Sequence, residues 1–161
     1  DHTMKKNTMP LRRLILIDVE NFNGGPVATP AQARWCRRTL DNWIQPDPCD
    51  IVVLAADVTT VTNVHAGWPR HRILPGYGEN GADLRLLDVM EEDLPPRFSE
   101  MVLVSGDRIF AEKVSQLAGQ GLPTTVYSHT EDLSKRLKFA ATNTITSITT
   151  TTDLPIRRSI K

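Results

Sequence analysis

Three stretches of this sequence carry an acid where packing alone asks for none. Leu14-Ile15-Leu16-Ile17 runs straight into Asp18, with Asn21 three residues further on. Met101-Val102-Leu103-Val104 runs into Ser105-Gly106-Asp107. Asp83 heads a third pattern, because Asp83, Leu86, Leu87 and Met90 follow the i, i+3, i+4, i+7 spacing of one helical face. Each acid has a plainer reading: Asp18 as a cap for the next loop or helix, Asp83 as a helix-dipole carboxylate worth up to about 1 kcal/mol. A solvent-facing position would suit that role, whereas Asp83 begins the stripe that packs. Brought to one crevice, the three carboxylates repel, at about 4 kcal/mol for a pair ~4 Å apart in an effective dielectric of about 20. A hard divalent cation removes that cost. Mg²⁺ or Mn²⁺ suits a shell of carboxylates and water, and the absence of a His/Cys cluster argues against structural zinc. Such a site does phosphoryl-transfer chemistry, with a metal-activated water attacking a phosphodiester in line.

The acids must be positioned by secondary structure, and the chain supplies it in a regular alternation. Leu14–Ile17 is an unbroken apolar run of the kind found in a strand covered on both faces. Ile51-Val52-Val53-Leu54-Ala55-Ala56 is a second such strand, ending in Asp57. Arg72-Ile73-Leu74 is a short third, Met101–Val104 a fourth and Thr124-Thr125-Val126-Tyr127 a fifth. Between the first two, Thr29-Pro30 opens a helix whose stripe is Ala33, Cys36, Leu40, Trp43 and Ile44, stopped by Pro46-Asp47-Pro48. The segment Thr59–Trp68 reads as a short helix or a loop. The glycine-dense loop Pro75–Gly81 precedes a helix expected over Ala82–Asp93, ahead of Pro95-Pro96. Phe110, Val114, Leu117 and Ala118 mark the next helix, and Leu133–Ala141 the last. Strands alternating with helices mean a parallel sheet with helices on both faces. The expected fold is therefore an α/β three-layer sandwich, Rossmann-like, with about five strands in the order 3-2-1-4-5. In that order Asp18 and Asp107 stand at the carboxyl ends of adjacent strands, where open α/β sheets bind their ligands.

The 161 residues suffice for one domain with a real core. We read residues 1–10 as an extension, in which Asp1-His2-Thr3 precedes Met4 as a remnant outside the fold. The domain is expected over 11–141. The Thr-rich segment 142–161 supplies an edge strand at Ile145–Ile148 or a loose run, then a basic end at Arg157, Arg158 and Lys161. Nineteen basic and nineteen acidic residues give zero formal net charge, so the total signals no long-range attraction to nucleic acid and leaves only a local patch. Cys36 and Cys49 form no disulfide framework and lack metal-ligand spacing; Cys36 belongs to an apolar helical face and is expected in the core. Nothing resembles a signal peptide or an 18-residue apolar span, so no membrane partner and a cytoplasmic location are expected.

The three acidic blocks also carry a resemblance. Leu16-Ile17-Asp18-Val19-Glu20-Asn21, then Gly81-Ala82-Asp83 leading to Asp88, then Val104-Ser105-Gly106-Asp107-Arg108-Ile109-Phe110 are similar in order and separation to NYN-domain proteins of the PIN-like nuclease superfamily. The match spans most of residues 11–140. The resemblance implies a Rossmann-like fold and a metal-dependent ribonuclease, usually endonucleolytic. It makes Asp18, Asp83 and Asp107 the catalytic and metal-binding acids. It makes Asn21 an amide that orders the site, and Ser105 a holder of carboxylate or phosphate. Asp88, five residues beyond Asp83 and rotated off its face, reads as a supporting residue or as plain surface. One departure stands out: the family's third block has a second Asp two residues beyond the first, and here that residue is Ile109. Glu20, Asp57 or Glu79 would have to stand in, or the metal binds weakly, or the domain has kept binding and lost cleavage. Before Gly81, Glu79-Asn80 replaces a frequent Lys.

The expected partner is single-stranded RNA, with a homodimer or a partner protein also compatible. Arg108 follows Asp107 and is in reach of a phosphate. Lys135, Arg136 and Lys138 are a basic run whose plain reading is a solvated helix face. Trp68 and Tyr77 are weaker candidates for base stacking. Arg70, His71 and Arg72 belong at the other end of the sheet. A catalytically impaired RNA-binding or protein-interaction module is the alternative. A phosphatase-type Asp-x-Asp would need an Asp where Glu20 stands, and a receiver domain would need a lysine where strand five ends in Tyr127-Ser128-His129, so both fit poorly.

Overall fold

A computed structural model describes residues 12–147; the N-terminal extension, Ile148 and the basic end at Arg157, Arg158 and Lys161 lie outside them. Within that span the chain forms one six-stranded, fully parallel sheet in the order β3-β2-β1-β4-β5-β6. The strands are β1 (Arg13–Asp18), β2 (Ile51–Asp57), β3 (Arg72–Gly76), β4 (Glu100–Val104), β5 (Thr124–His129) and β6 (Asn143–Ser147). The helices are α1 (Val19–Asn23), α2 (Pro30–Ile44), α3 (Val61–His65), α4 (Gly81–Met90), α5 (Ala111–Gly119) and α6 (Lys135–Ala140). The order 3-2-1-4-5 expected for the first five strands is the order found, and the sixth lies parallel against β5.

Strand β1 explains the three layers. Its side chains alternate, and both sets are buried. Leu14 and Leu16 face a core built with Leu86, Met90, Val114 and Leu137 from α4, α5 and α6. Ile15 and Ile17 face a second core with Phe22, Ala33, Cys36, Leu40 and Val64 from α1, α2 and α3. Burying each such side chain is worth about 1.5–3 kcal/mol, so neither face can be left to solvent. Cys36 is fully buried, as its place on the helical stripe predicts. Helix α2 begins as its sequence dictates, with the Thr29 hydroxyl accepting from the Gln32 N–H (3.1 Å) and Pro30 in the first turn.

One open reading resolves and two expectations shift. The ambiguous segment resolves into α3, only five residues long. Helix α4 ends at Met90 rather than Asp93, because the Glu91 and Glu92 N–H groups tighten onto the carbonyls of Asp88 and Val89. Trp68 is 2% exposed and packs in the second core, so it cannot stack on a base.

Candidate active site

The chain runs outward one way through β2 and β3, then returns to run the other way through β4, β5 and β6, so the sheet's switch point lies between β1 and β4. Ile17 pairs with Val104 across it. One residue beyond, Asp18 leaves β1 and Ser105 leaves β4. The Ser105 hydroxyl donates to Asp18 Oδ2 (3.0 Å) and itself accepts from the Asp107 N–H (3.2 Å). Asn21 closes the same gap: its Oδ1 accepts from the Gly106 N–H (3.1 Å), while its own N–H donates to Asp18 Oδ1 (3.4 Å). The two strand ends are thus stapled together by residues that also aim the carboxylate. Gly106 is needed there, because a Cβ would meet the Asp132 carbonyl oxygen at 2.3 Å.

Asp83 reaches the same place from the other layer. The start of α4 closes on the end of β3 because both contact positions are glycine. A Cβ on Gly76 would lie 2.1 Å from the Ala82 nitrogen, and one on Gly81 would lie 2.9 Å from the Gly76 carbonyl carbon. This packing points the first turn of α4, and Asp83 in it, at the switch point. Asp18, Glu20, Asn21, Asp57, Asp83 and Asp107 line one cleft of about 290 Å³ together with the glycine-rich loop.

Two acids of the cleft are raised by burial and by neighbouring acids. Asp18 is 5% exposed. Burial, and after it the adjacent Asp83 charge, raises its carboxyl well above the ordinary value of 3.8, against opposing hydrogen bonds from Ser105 and Asn21. Asp83, 9% exposed, is also raised: burial is the largest cause, its hydrogen bond with Asp18 opposes it, and the charges of Asp107 and Glu20 add to it. Both carboxyls thus hold a proton more readily than a free aspartate does. The contacts run in series, Asp18 to Asp83 and Asp83 to Asp107. Among the described residues, no group of three or more His, Cys, Asp or Glu is arranged to hold a metal ion as it stands.

Both strand-end acids also cap the helical turn next in the chain. Asp18 is the N-cap of α1, and Asp107 Oδ1 accepts from the Ile109 N–H (3.0 Å) at the start of the turn Arg108–Phe110. The capping reading of Asp18 holds, and it does not take the residue out of the cleft, since the cap uses one oxygen.

The remaining candidates separate. Ser105 and Asn21 support the carboxylates as described. Asp88 is exposed on α4 and does not line the cleft; five residues from Asp83 it is turned about 140° round the helix. Glu79 is likewise exposed and outside it. Arg108 is exposed and lines a neighbouring groove instead. Ile109 is half-buried against the first core and its side chain faces that groove. Of the acids proposed to replace it, Glu20 is best placed. It lies in the cleft close enough to raise Asp83, and is held there by the Asp57 N–H (2.8 Å) and the Thr60 hydroxyl (3.0 Å). Asp57 also lines the cleft but is turned to its own loop, accepting from the Thr59 N–H (2.9 Å).

The fold has a solved counterpart. A crystal structure of a protein of unknown function from Vibrio parahaemolyticus superimposes with a TM-score of 0.61 at 19% identity, over 87% of this chain and 94% of that one. No curated protein matches the sequence significantly. No helix among the described residues is long and apolar enough to cross a membrane. The family model for the NYN domain matches residues 40–149, a span that includes Asp83, Ser105 and Asp107 and begins after Asp18 and Asn21. That span is more than half of the sequence, and the chain belongs to the NYN domain family, with its PIN-like nuclease fold.

Proposed function

We propose that this chain is a metal-dependent ribonuclease that cleaves single-stranded RNA endonucleolytically at the Asp18–Asp83–Asp107 cleft. The observation that carries the reading is the contact of three acids from three distant parts of the chain. Among the described residues no basic side chain lines that cleft, and two of its carboxyls are raised by burial and mutual charge. The donor set fits Mg²⁺ or Mn²⁺, being oxygen throughout. Asp18, Asp83 and Asp107 would hold the ion, with Glu20 in the position nearest to a fourth acid. Bound there, a divalent cation supplies charge neutralisation and a water of lowered pKa.

The chain's own residues do the rest. Ser105 and the Asn21 N–H fix both oxygens of Asp18, so that carboxylate is aimed before any ligand arrives. The Ile109 N–H holds Asp107 Oδ1 and leaves the other oxygen for the cleft. A cation held there would offset the burial and charge that raise Asp18 and Asp83, and so would favour both as carboxylates.

Ile109 favours a second reading, a module that binds RNA without cutting it. Incubation of single-stranded RNA with the parent and with Asp18→Asn in Mn²⁺ separates the two. The ribonuclease reading predicts fragments from the parent and none from the variant. Equal fragmentation would place any nuclease activity elsewhere. Binding without fragments would leave the second reading.

A further inference from the structure

Beside the acidic cleft lies a second, larger concavity of about 930 Å³ that the reaction does not use. It begins at Arg108, the residue after Asp107, and is lined by Ile109, Glu112 and Gln116 on one side and by Arg136 and Phe139 of α6 on the other. Phe139 is 86% exposed, the most exposed large apolar side chain among the described residues. Helix α6 docks through buried Leu137, with partly buried Leu133, Ala140 and Ala141 beside it. This leaves Lys135, Arg136, Lys138 and Phe139 facing outward. Its start is pinned to the active-site loop: the Ser134 N–H donates to the Gly106 carbonyl (2.9 Å), and the Ser134 hydroxyl caps the helix at Leu137 (3.1 Å). Gly106 thus bonds to both neighbours, its N–H to Asn21 in the cleft and its carbonyl to Ser134 at the start of the groove's helix.

We infer that this groove is the subsite for the RNA strand leaving the cleft, with Arg108 and Arg136 on its phosphates and Phe139 as the platform for one base. The inference rests on the proposed action on single-stranded RNA and adds where the strand goes. Two arginines against one glutamate make the groove locally basic in a chain of zero net charge. Phosphate and an aromatic face are the two features that single strands offer in any sequence. A duplex keeps its base faces stacked away and gains nothing from Phe139. The groove is thus selective for single strands and indifferent to sequence. The opposite rim has a matching residue: Tyr77, 70% exposed, precedes Gly78, which lines the cleft.

The test is fluorescence anisotropy with a short labelled oligouridine and a labelled RNA duplex, on the full chain carrying Asp18→Asn, in EDTA, so that cleavage plays no part. Phe139→Ala should weaken the oligouridine roughly tenfold and the duplex hardly at all. Phe139→Trp should restore the affinity and Phe139→Leu should not. Arg108→Ala with Arg136→Ala should lower the salt slope by about 1.4, at ~0.7 for each phosphate contact. These side chains are exposed, so unchanged melting temperatures confirm folding. Parent-like binding by all the variants would overturn the groove while leaving the ribonuclease reading intact. Weakened binding beside a parent that cuts no RNA in Mn²⁺ would keep the groove and remove the nuclease. Unchanged RNA affinity, with Phe139→Ala converting a dimer to a monomer in light scattering, would make Phe139 a contact between copies and overturn the inference.

Discussion

Strand β1 meets a carboxylate at each end and deals with the two in different ways. At its amino end Asp50 receives Arg13 through Nη2 (2.8 Å) and Nε (3.1 Å) and through the Arg13 backbone N–H (3.0 Å). Burial would raise Asp50, but these bonds and the Asp47 N–H bring it below its ordinary value of 3.8. At the carboxyl end Asp18 meets Asp83, and both are raised. The first arrangement is complete within the fold. In the second, burial and neighbouring charge outweigh the hydrogen bonds the fold supplies. A carboxyl without a cationic partner at the sheet's switch point costs stability, and it is there that we propose a cation binds; that difference would separate scaffold from chemistry along the length of one strand.

Either end can be disturbed separately. Asp18→Asn or Asp83→Asn should cut Mn²⁺-dependent RNA cleavage roughly 100-fold or more, while metal-free melting temperature at neutral pH stays level or rises, since a raised carboxyl is relieved. Arg13→Met should do the reverse. It should cost about 3 kcal/mol in denaturant unfolding, because it leaves the Asp50 charge with backbone N–H groups and no cation, with cleavage per folded molecule unchanged.

Proton linkage gives the two ends opposite signs. Asp50, lowered on folding, contributes stability that is present above 3.8 and lost as pH falls through its folded value. Asp18 and Asp83, raised on folding, contribute stability present below 3.8 and lost as pH rises through their folded values. Metal-free melting followed from neutral pH downward should therefore show stability rising before it falls, and Asp18→Asn should flatten the rise. Mn²⁺ at ~100 times its dissociation constant should return about 2.7 kcal/mol at neutral pH, and nothing comparable in Asp18→Asn. The smallest effect is expected from Ser105→Ala, about 1 kcal/mol, seen as a further rise of the Asp18 pKa and an alkaline shift in the pH profile of cleavage.

The meeting of Asp18, Asp83 and Asp107 in one cleft was legible because their signals are local. An apolar strand that runs into Asp18 or Asp107, and a helical stripe that starts at Asp83, each announce position within a few residues. The strand order was legible for the same reason, from continuous buried runs separated by helices. What escaped was set by distant contacts or by irregular backbone. Arg13 and Asp50 are 37 residues apart and nothing in either neighbourhood announces the other. Trp68 lies in a segment without periodicity, so its burial could not be read. Glu79 sits in a glycine loop whose path decides which side chains face inward. Phe139 had a usable signal: it falls off the stripe of Leu133, Leu137 and Ala140, among Lys135, Arg136 and Lys138. A residue so placed is exposed, and an exposed aromatic in a basic run is a binding candidate.

A cation between the three acids is the central requirement of the proposed chemistry. A crystal soaked in Mn²⁺ and measured for anomalous scattering tests it directly. The expected result is a peak bounded by oxygens of Asp18, Asp83 and Asp107. A cleft with no peak there, with Asp18 and Asp83 still sharing their hydrogen bond in the presence of Mn²⁺, would contradict it.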